Sequence, residues 1–223
     1  MRLILFDVDG TLLHTGPQVR PILASCLEEV YGSAGPMDTF DFSGKTDPQI
    51  VCELMAEVGL PREEVWPELD RVRGLFRERL EAGLVREGMT LLPRVIEVLD
   101  HLTGRDDAHV GLLTGNWEVT GRIKLSRFDL NRYFAFGAFG DDGDDRRDLV
   151  PAALKRAETV TGRRFAPEEA LIVGDSVGDV VCARAHGVAC LAVTTGWTSA
   201  EALREAGADR VVEGLEPGWF GEP

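Results

Sequence analysis

The feature that most constrains this 223-residue chain is an apolar run that ends in acid: Leu3-Ile4-Leu5-Phe6, followed by Asp7-Val8-Asp9-Gly10-Thr11-Leu12. Four consecutive aliphatic or aromatic residues read as a strand buried on both faces, the kind that parallel sheets use. Alternation along an extended chain points the Asp7 and Asp9 side chains the same way. Gly10 lets the backbone turn where a Cβ would strain it. Two carboxylates therefore stand at a strand's C-terminal end, where open α/β sheets bind ligands. Asp and Gly are also ordinary turn residues, so the string alone is compatible with a plain turn. A calcium-loop reading fails, because no Glu stands at the bidentate position of a following helix-flanked loop.

Three further segments repeat the design. Val110-Gly111-Leu112-Leu113 runs into Thr114-Gly115-Asn116, and Ala170-Leu171-Ile172-Val173 runs into Gly174-Asp175-Ser176, with Asp179 one helical turn on. Between them Asp145-Arg146-Arg147-Asp148 precedes a helical pattern over 149–161. From about residue 93 the two periodicities alternate, with helices over 94–102, 118–128, 149–161, 179–186 and from 199, and strands over 109–113, 134–139, 170–173, 188–193 and near 210–212. That alternation predicts an α/β fold, a Rossmann-like and mostly parallel sheet with helices on both faces. Polar residues at several strand ends converge in such a sheet.

Residues 17–86 interrupt the pattern and read as helices over 17–31, from 46, and over 61–82. Thr46-Asp47-Pro48-Gln49 has the spacing of a capping box with Pro in the first turn. Pro67 is placed to kink or divide the third helix. The expected organisation is a core of residues 1–15 and 89–223, with a helical cap of residues 16–88 inserted after the first strand and hinged near Gly16 and Gly88.

The ordered set of motifs resembles the haloacid dehalogenase superfamily, in the phosphatase branch that carries a helical cap after the first motif and includes the phosphoglycolate phosphatases. Asp7-Val8-Asp9-Gly10-Thr11 matches the first motif, Thr114 the second, and Gly174-Asp175 with Asp179 the fourth. The third is usually a Lys; the matching stretch here has Arg146-Arg147, and either arginine is a candidate for its place. The resemblance implies that Asp7 is a nucleophile and Asp9 a general acid and base. It implies that Thr114, with the amides of Gly115 and Asn116, binds phosphate. It assigns Asp7, the Asp9 carbonyl and Asp175 to Mg²⁺, with Asp179 a direct or supporting ligand. The residue types agree with that cofactor, since oxygen donors without His or Cys suit Mg²⁺. The stretch Phe42-Ser43-Gly44-Lys45-Thr46-Asp47 is similar to a cap loop of these phosphatases, so Lys45 is a candidate for a substrate carboxylate or second phosphate, as well as for plain solvation. His14 stands where many of those relatives carry an acid. Trp117 reads as core packing.

The net charge of −14 argues against non-specific binding to nucleic acid or an anionic membrane, while leaving a small anionic substrate open. It reads as surface solubility. Cys26, Cys52, Cys182 and Cys190 form no CxxC pair and sit in apolar contexts, so buried free thiols are expected. With no signal-peptide pattern and no membrane-length run, the expected compartment is the cytoplasm. The expected partner is a small phosphorylated metabolite, and the expected assembly a monomer or homodimer. Rival chemistries on this resemblance are a dehalogenase or a phosphonatase, both disfavoured by Asp9, a sugar-phosphate mutase, which keeps both acids, and a non-catalytic binding protein.

Overall fold

The computed structural model describes residues 2–221. Strand β1 (Arg2–Phe6) is followed by the two-residue β2 (Leu13–His14), by helices α1 (Val19–Tyr31), α2 (Asp47–Ala56), α3 (Arg62–Val65) and α4 (Leu69–Gly83), and by β3 (Thr90–Leu91). Helices and strands then alternate: α5 (Val95–Thr103), β4 (Ala108–Leu113), α6 (Glu118–Ser126), β5 (Gly137–Ala138), α7 (Leu149–Thr161), β6 (Ala170–Gly174), α8 (Val177–Ala185), β7 (Ala189–Val193), α9 (Ala200–Ala206) and β8 (Arg210–Val212). Six strands form one sheet in the order β5-β4-β1-β6-β7-β8, every pairing parallel. The chain winds outward from β1 in both directions, so the strand order reverses there and opens a crevice at its C-terminal end.

Side-chain alternation sorts the sheet into two apolar layers. Leu3, Leu5, Ile172 and Cys190 pack with Leu149 and Ala153 of α7, Val180 of α8 and Leu203 of α9. Ile4, Phe6, Leu112 and Val173 face the other way, toward Val98 and Leu102 of α5 and Leu125 of α6. The same second layer runs on into Leu23, Val51, Val65 and Phe76, one from each of the four α-helices between β2 and β3. Burying one such ring or aliphatic side chain contributes about 2–3 kcal/mol.

The two chain segments leading to those helices pair as an antiparallel ribbon, Leu13 opposite Leu91 and His14 opposite Thr90. Just beyond, Gly16 has φ +63°, and a Cβ there would collide with the Gly88 carbonyl, so the two proposed hinge glycines touch. Gln18 clamps the crossing by donating to the Thr15 and Val85 carbonyls and accepting from Val85 N.

One local expectation is borne out and one is corrected. Pro67 divides the third helix into α3, a 3-10 turn at Trp66–Glu68 and α4, because it has no N–H and crowds the preceding turn. The strand expected over 134–139 shrinks to Gly137–Ala138, which alone pair with Leu112 and Leu113. A 3-10 turn at Leu130–Tyr133 takes up the approach, and Phe134 turns inward to meet Phe6 edge-on at 6.3 Å. Trp117 is core, edge-on to Phe76 at 6.3 Å. All four cysteines are buried free thiols. Among the described residues no helix is long and apolar enough to cross a membrane.

Candidate active site

Three neighbouring strands deliver the polar groups. Asp7 extends the ladder one residue past β1, its amide donating to Val173 O at 2.9 Å. Thr114 follows β4 and Asp175 follows β6. The chain then folds tightly, Leu12 N and Leu13 N both donating to Val8 O, with Gly10 at φ +84°. A Cβ on Gly10, or on Gly196 in the loop after β7, would collide with the Asp175 carboxylate. That carboxylate is therefore seated between two glycines, with Thr11 Oγ1 donating to its Oδ1 at 3.3 Å.

Asp7, Asp175 and Asp179 each present an oxygen within 4.8 Å of the others, and all three are buried. Arg146 enters the cluster from the segment before α7: its Nη2 lies 3.0 Å from Asp7 Oδ1 and 2.5 Å from Asp179 Oδ1. Arg147 is exposed and paired with Asp145, so of the two candidate arginines only Arg146 reaches the site. Both Asp179 oxygens are engaged, since Oδ2 accepts from Ser176 N at 3.0 Å and Ser176 Oγ at 2.6 Å in the capping box of α8.

Burial pushes the Asp7 carboxyl up to about 6; Arg146 opposes the shift, and Asp179 and Asp9 add to it. Burial, helped by the charges of Asp7 and Asp179, pushes Asp175 up to about 8. Burial also works against charge on Arg146, yet Asp179 and Asp7 more than offset it and raise its pKa. The cluster thus holds more carboxylate than one guanidinium neutralises. Its donors are hard oxygens with no His or Cys among them, the set that suits Mg²⁺.

Asp9 stands apart from that cluster in a second network that the sequence did not announce. Lys124 of α6 is buried and donates to Asp9 Oδ2 at 2.7 Å and to Asn116 Oδ1 at 2.5 Å. Asn116 Nδ2 donates to Asp9 Oδ2 at 2.8 Å and to Thr114 Oγ1 at 2.8 Å. Thr114 does not cap α6, whose N-cap position is Trp117. No sequence signal marked Lys124, Gly196 or Asp47 as part of the site: the neighbours of Lys124 on its helix face, Thr120 and Gly121, are buried in the fold but not strongly apolar in sequence.

A cavity of about 430 Å³ opens over Asp7, Asp9, Thr114–Asn116, Lys124, Arg146 and Asp175 and continues between Arg20, Phe40, Phe42, Lys45 and Trp197. Lys45 lines this space with its ammonium paired to Glu53 at 2.9 Å. Arg20 donates to the Met37 and Phe40 carbonyls and stacks at 4.1 Å on Phe42. His14 turns away, its Nε2 at 2.9 Å from Thr195 O.

The family profile described as haloacid dehalogenase-like hydrolase matches residues 4–193, and so spans every strand end just described. The chain belongs to the haloacid dehalogenase-like hydrolases. It lies on the phosphatase side of that family: phosphoglycolate phosphatase 1 of Pseudomonas aeruginosa is 30% identical over 221 residues, covering 96% of this chain and 77% of the relative. The phosphoglycolate phosphatase of Photorhabdus laumondii is 26% identical, with 95% and 88% covered. Among solved structures, a hydrolase from Pseudomonas syringae superposes with a TM-score of 0.72 at 22% identity, covering 97% of this chain and 94% of that one. CbbY from Rhodobacter sphaeroides, solved with phosphate, gives 0.64 at 20% identity, covering 96% and 95%. These structures share the haloacid dehalogenase-like fold, a parallel sheet with a helical insertion.

Proposed function

We propose that this haloacid dehalogenase-like hydrolase is a Mg²⁺-dependent phosphatase that cleaves a small phosphate monoester through an aspartyl-phosphate on Asp7. The observation that carries the reading is the convergence of Asp7, Thr114 and Asp175 at the ends of three adjacent strands, with Arg146 from the segment before α7, on the floor of one cavity.

Asp7 and Asp175 would hold the cation, with the Asp9 carbonyl, while Asp179 holds Arg146 and the α8 turn in place. When bound, Mg²⁺ supplies charge neutralisation at the phosphate oxygens. An Asp7 oxygen attacks phosphorus, forming the carboxyl–phosphate bond as the bond to the leaving oxygen breaks. Asp9 gives its proton to that oxygen. It then takes a proton from the water that attacks the aspartyl-phosphate, which releases inorganic phosphate and restores Asp7. Lys124 and Asn116 fix Asp9 by Oδ2 and leave Oδ1 for the proton. The Thr114 hydroxyl, the Gly115 and Asn116 amides and Arg146 take the phosphoryl oxygens, a positioning and electrostatic task.

Substrate choice falls to the helical cap, residues 16–88. The names of the curated relatives support a phosphoglycolate-like substrate, and Lys45 and Arg20 on the cavity wall are the candidates for its second anionic group, Lys45 by exchanging its Glu53 partner for it. The four free thiols fit a reducing compartment, in keeping with a cytoplasmic enzyme.

Inorganic phosphate release from a panel of small monoesters, with Mg²⁺ and with EDTA, tests the reading. Metal-dependent turnover that disappears in Asp7→Asn is the expected result. Transfer of phosphate between hydroxyls without release would make the protein a mutase; no reaction on any monoester would leave a binding protein.

A further inference from the structure

Helix α6 begins without a cap of its own, since its N-cap residue Trp117 makes no side-chain capping bond. Carboxylates from elsewhere take the orphaned amides. Asp47 Oδ2 accepts from Trp117 N at 2.8 Å and from Thr120 Oγ1 at 3.1 Å, and Asp141 Oδ2 accepts from Glu118 N at 2.5 Å. Asp47 does not belong to the α/β layer. It is the first residue of α2, in the helical insertion between β2 and β3. Its own amide donates to Gly115 O at 2.7 Å. Next to it, Thr46 caps α2 by accepting from Gln49 N and donates to Asp144 O at 2.8 Å. The approach is close: a Cβ on Gly115 would collide with the Lys45 carbonyl, and one on Gly44 would crowd Gly178.

The helix held in this way carries part of the site. Thr114–Asn116 leads into it, and Lys124 on it grips Asp9 at 2.7 Å. We propose that Asp47 is a positioning residue: by capping α6 from the helical insertion, it makes the placement of Lys124 and of the 114–116 turn depend on the insertion being seated. A carboxylate at a helix N-terminus satisfies free amides and opposes the positive end of the helix dipole, so each partner steadies the other. When the 44–48 segment lifts, the first turn of α6 loses that partner, and the grip on Asp9 loosens with it. The site is then complete only when the insertion is docked, which ties chemistry to closure. The kinetic part of this inference rests on the phosphatase reading; the coupling of Asp47 to α6 does not.

Hydrogen exchange and steady-state kinetics on Asp47→Ala, Asp47→Asn and Thr120→Val, with p-nitrophenyl phosphate as the probe, test it. In Asp47→Ala the amides over 115–121 should exchange about tenfold faster, with β1 and β6 keeping wild-type protection. Its kcat should fall about tenfold or more, with KM changed less. Asp47→Asn keeps a carbonyl for Trp117 N and should recover most of both losses. Thr120→Val should move exchange the same way by a smaller factor. Wild-type exchange over 115–121 in Asp47→Ala overturns the proposal. So does a kcat loss without faster exchange, which would make Asp47 a substrate contact. Faster exchange across all strands also overturns it, because Asp47 would then serve only global stability. If the wild-type protein releases no phosphate, the phosphatase reading fails while the exchange comparison still decides the coupling.

Discussion

Arg146 shows how much one residue can carry. It is buried between Asp7 and Asp179, where the resemblance to the family leads one to expect a lysine. One guanidinium nitrogen, Nη2, meets both carboxylates, and the other nitrogens still offer donors to a phosphate, whereas an ammonium has a single nitrogen. Arg146→Ala leaves two buried carboxylates unpaired, so kcat for phosphate release should fall about 10²-fold or more. Arg146→Lys should regain only part of that, because an ammonium that bonds both acids keeps fewer donors for the substrate than a guanidinium does. Equal kcat in wild type and Arg146→Ala would remove Arg146 from the site's chemistry. Gly196 makes a steric counterpart. Any Cβ there meets the Asp175 carboxylate, so Gly196→Ala should displace that carboxylate and raise the Mg²⁺ concentration for half-maximal activity at least about tenfold. An unchanged Mg²⁺ requirement would show that Asp175 tolerates the shift.

At the scale of elements, what could be read from the sequence follows from periodicity and from chemistry at strand ends. β1, β4, β6 and β7 are apolar runs with polar termini, and the helices between them carry clean apolar faces, so the α/β alternation and the positions of Asp7, Thr114 and Asp175 were legible. Helix α7 and strand β8 fall at the expected residues. The ribbon of β2 and β3 was not legible, because two-residue strands have no period and pair only once the insertion has brought distant segments together. Lys124 was missed for a related reason: its partner Asp9 is 115 positions away, and nothing local separates a buried lysine from a surface one. Lys124→Met keeps the stem and removes the charge that holds Asp9. It should lower kcat about tenfold or more while leaving far-ultraviolet dichroism unchanged. Wild-type kcat in that variant would mean Asp9 needs no such support.

For the whole molecule, the acidic balance read as solubility has a second use. Asp144 pairs with Arg62 and Asp141 with Arg73, joining the loop after β5 to the helical insertion. The buried acids set how stability responds to pH. Unfolded, Asp7 and Asp175 ionise near 3.8; in the fold they hold their protons to about 6 and about 8. Below 3.8 both states are protonated and these two groups cost the fold nothing. As pH climbs, the unfolded chain releases protons that the fold retains, so metal-free stability falls toward about pH 8 and then levels. A cation bound to the ionised acids reverses the loss. The melting temperature in EDTA should therefore decline from pH 5 to pH 8, and Mg²⁺ should raise it more at pH 8 than at pH 5. Asp175→Asn should flatten both trends. A Mg²⁺ effect that is the same at both pH values would place the cation elsewhere.

In the proposed chemistry Asp7 accepts the phosphoryl group and Asp9 is needed to discharge it. Intact-mass and peptide mass spectrometry of Asp9→Asn, quenched after mixing with Mg²⁺ and p-nitrophenyl phosphate, tests this most directly. That leaving group departs without a proton, so the first step survives loss of Asp9 while the second stalls. A single phosphoryl adduct on the peptide containing Asp7, absent in Asp7→Asn, is the expected result. Product formation with no adduct, or an adduct on any other residue, would contradict the account.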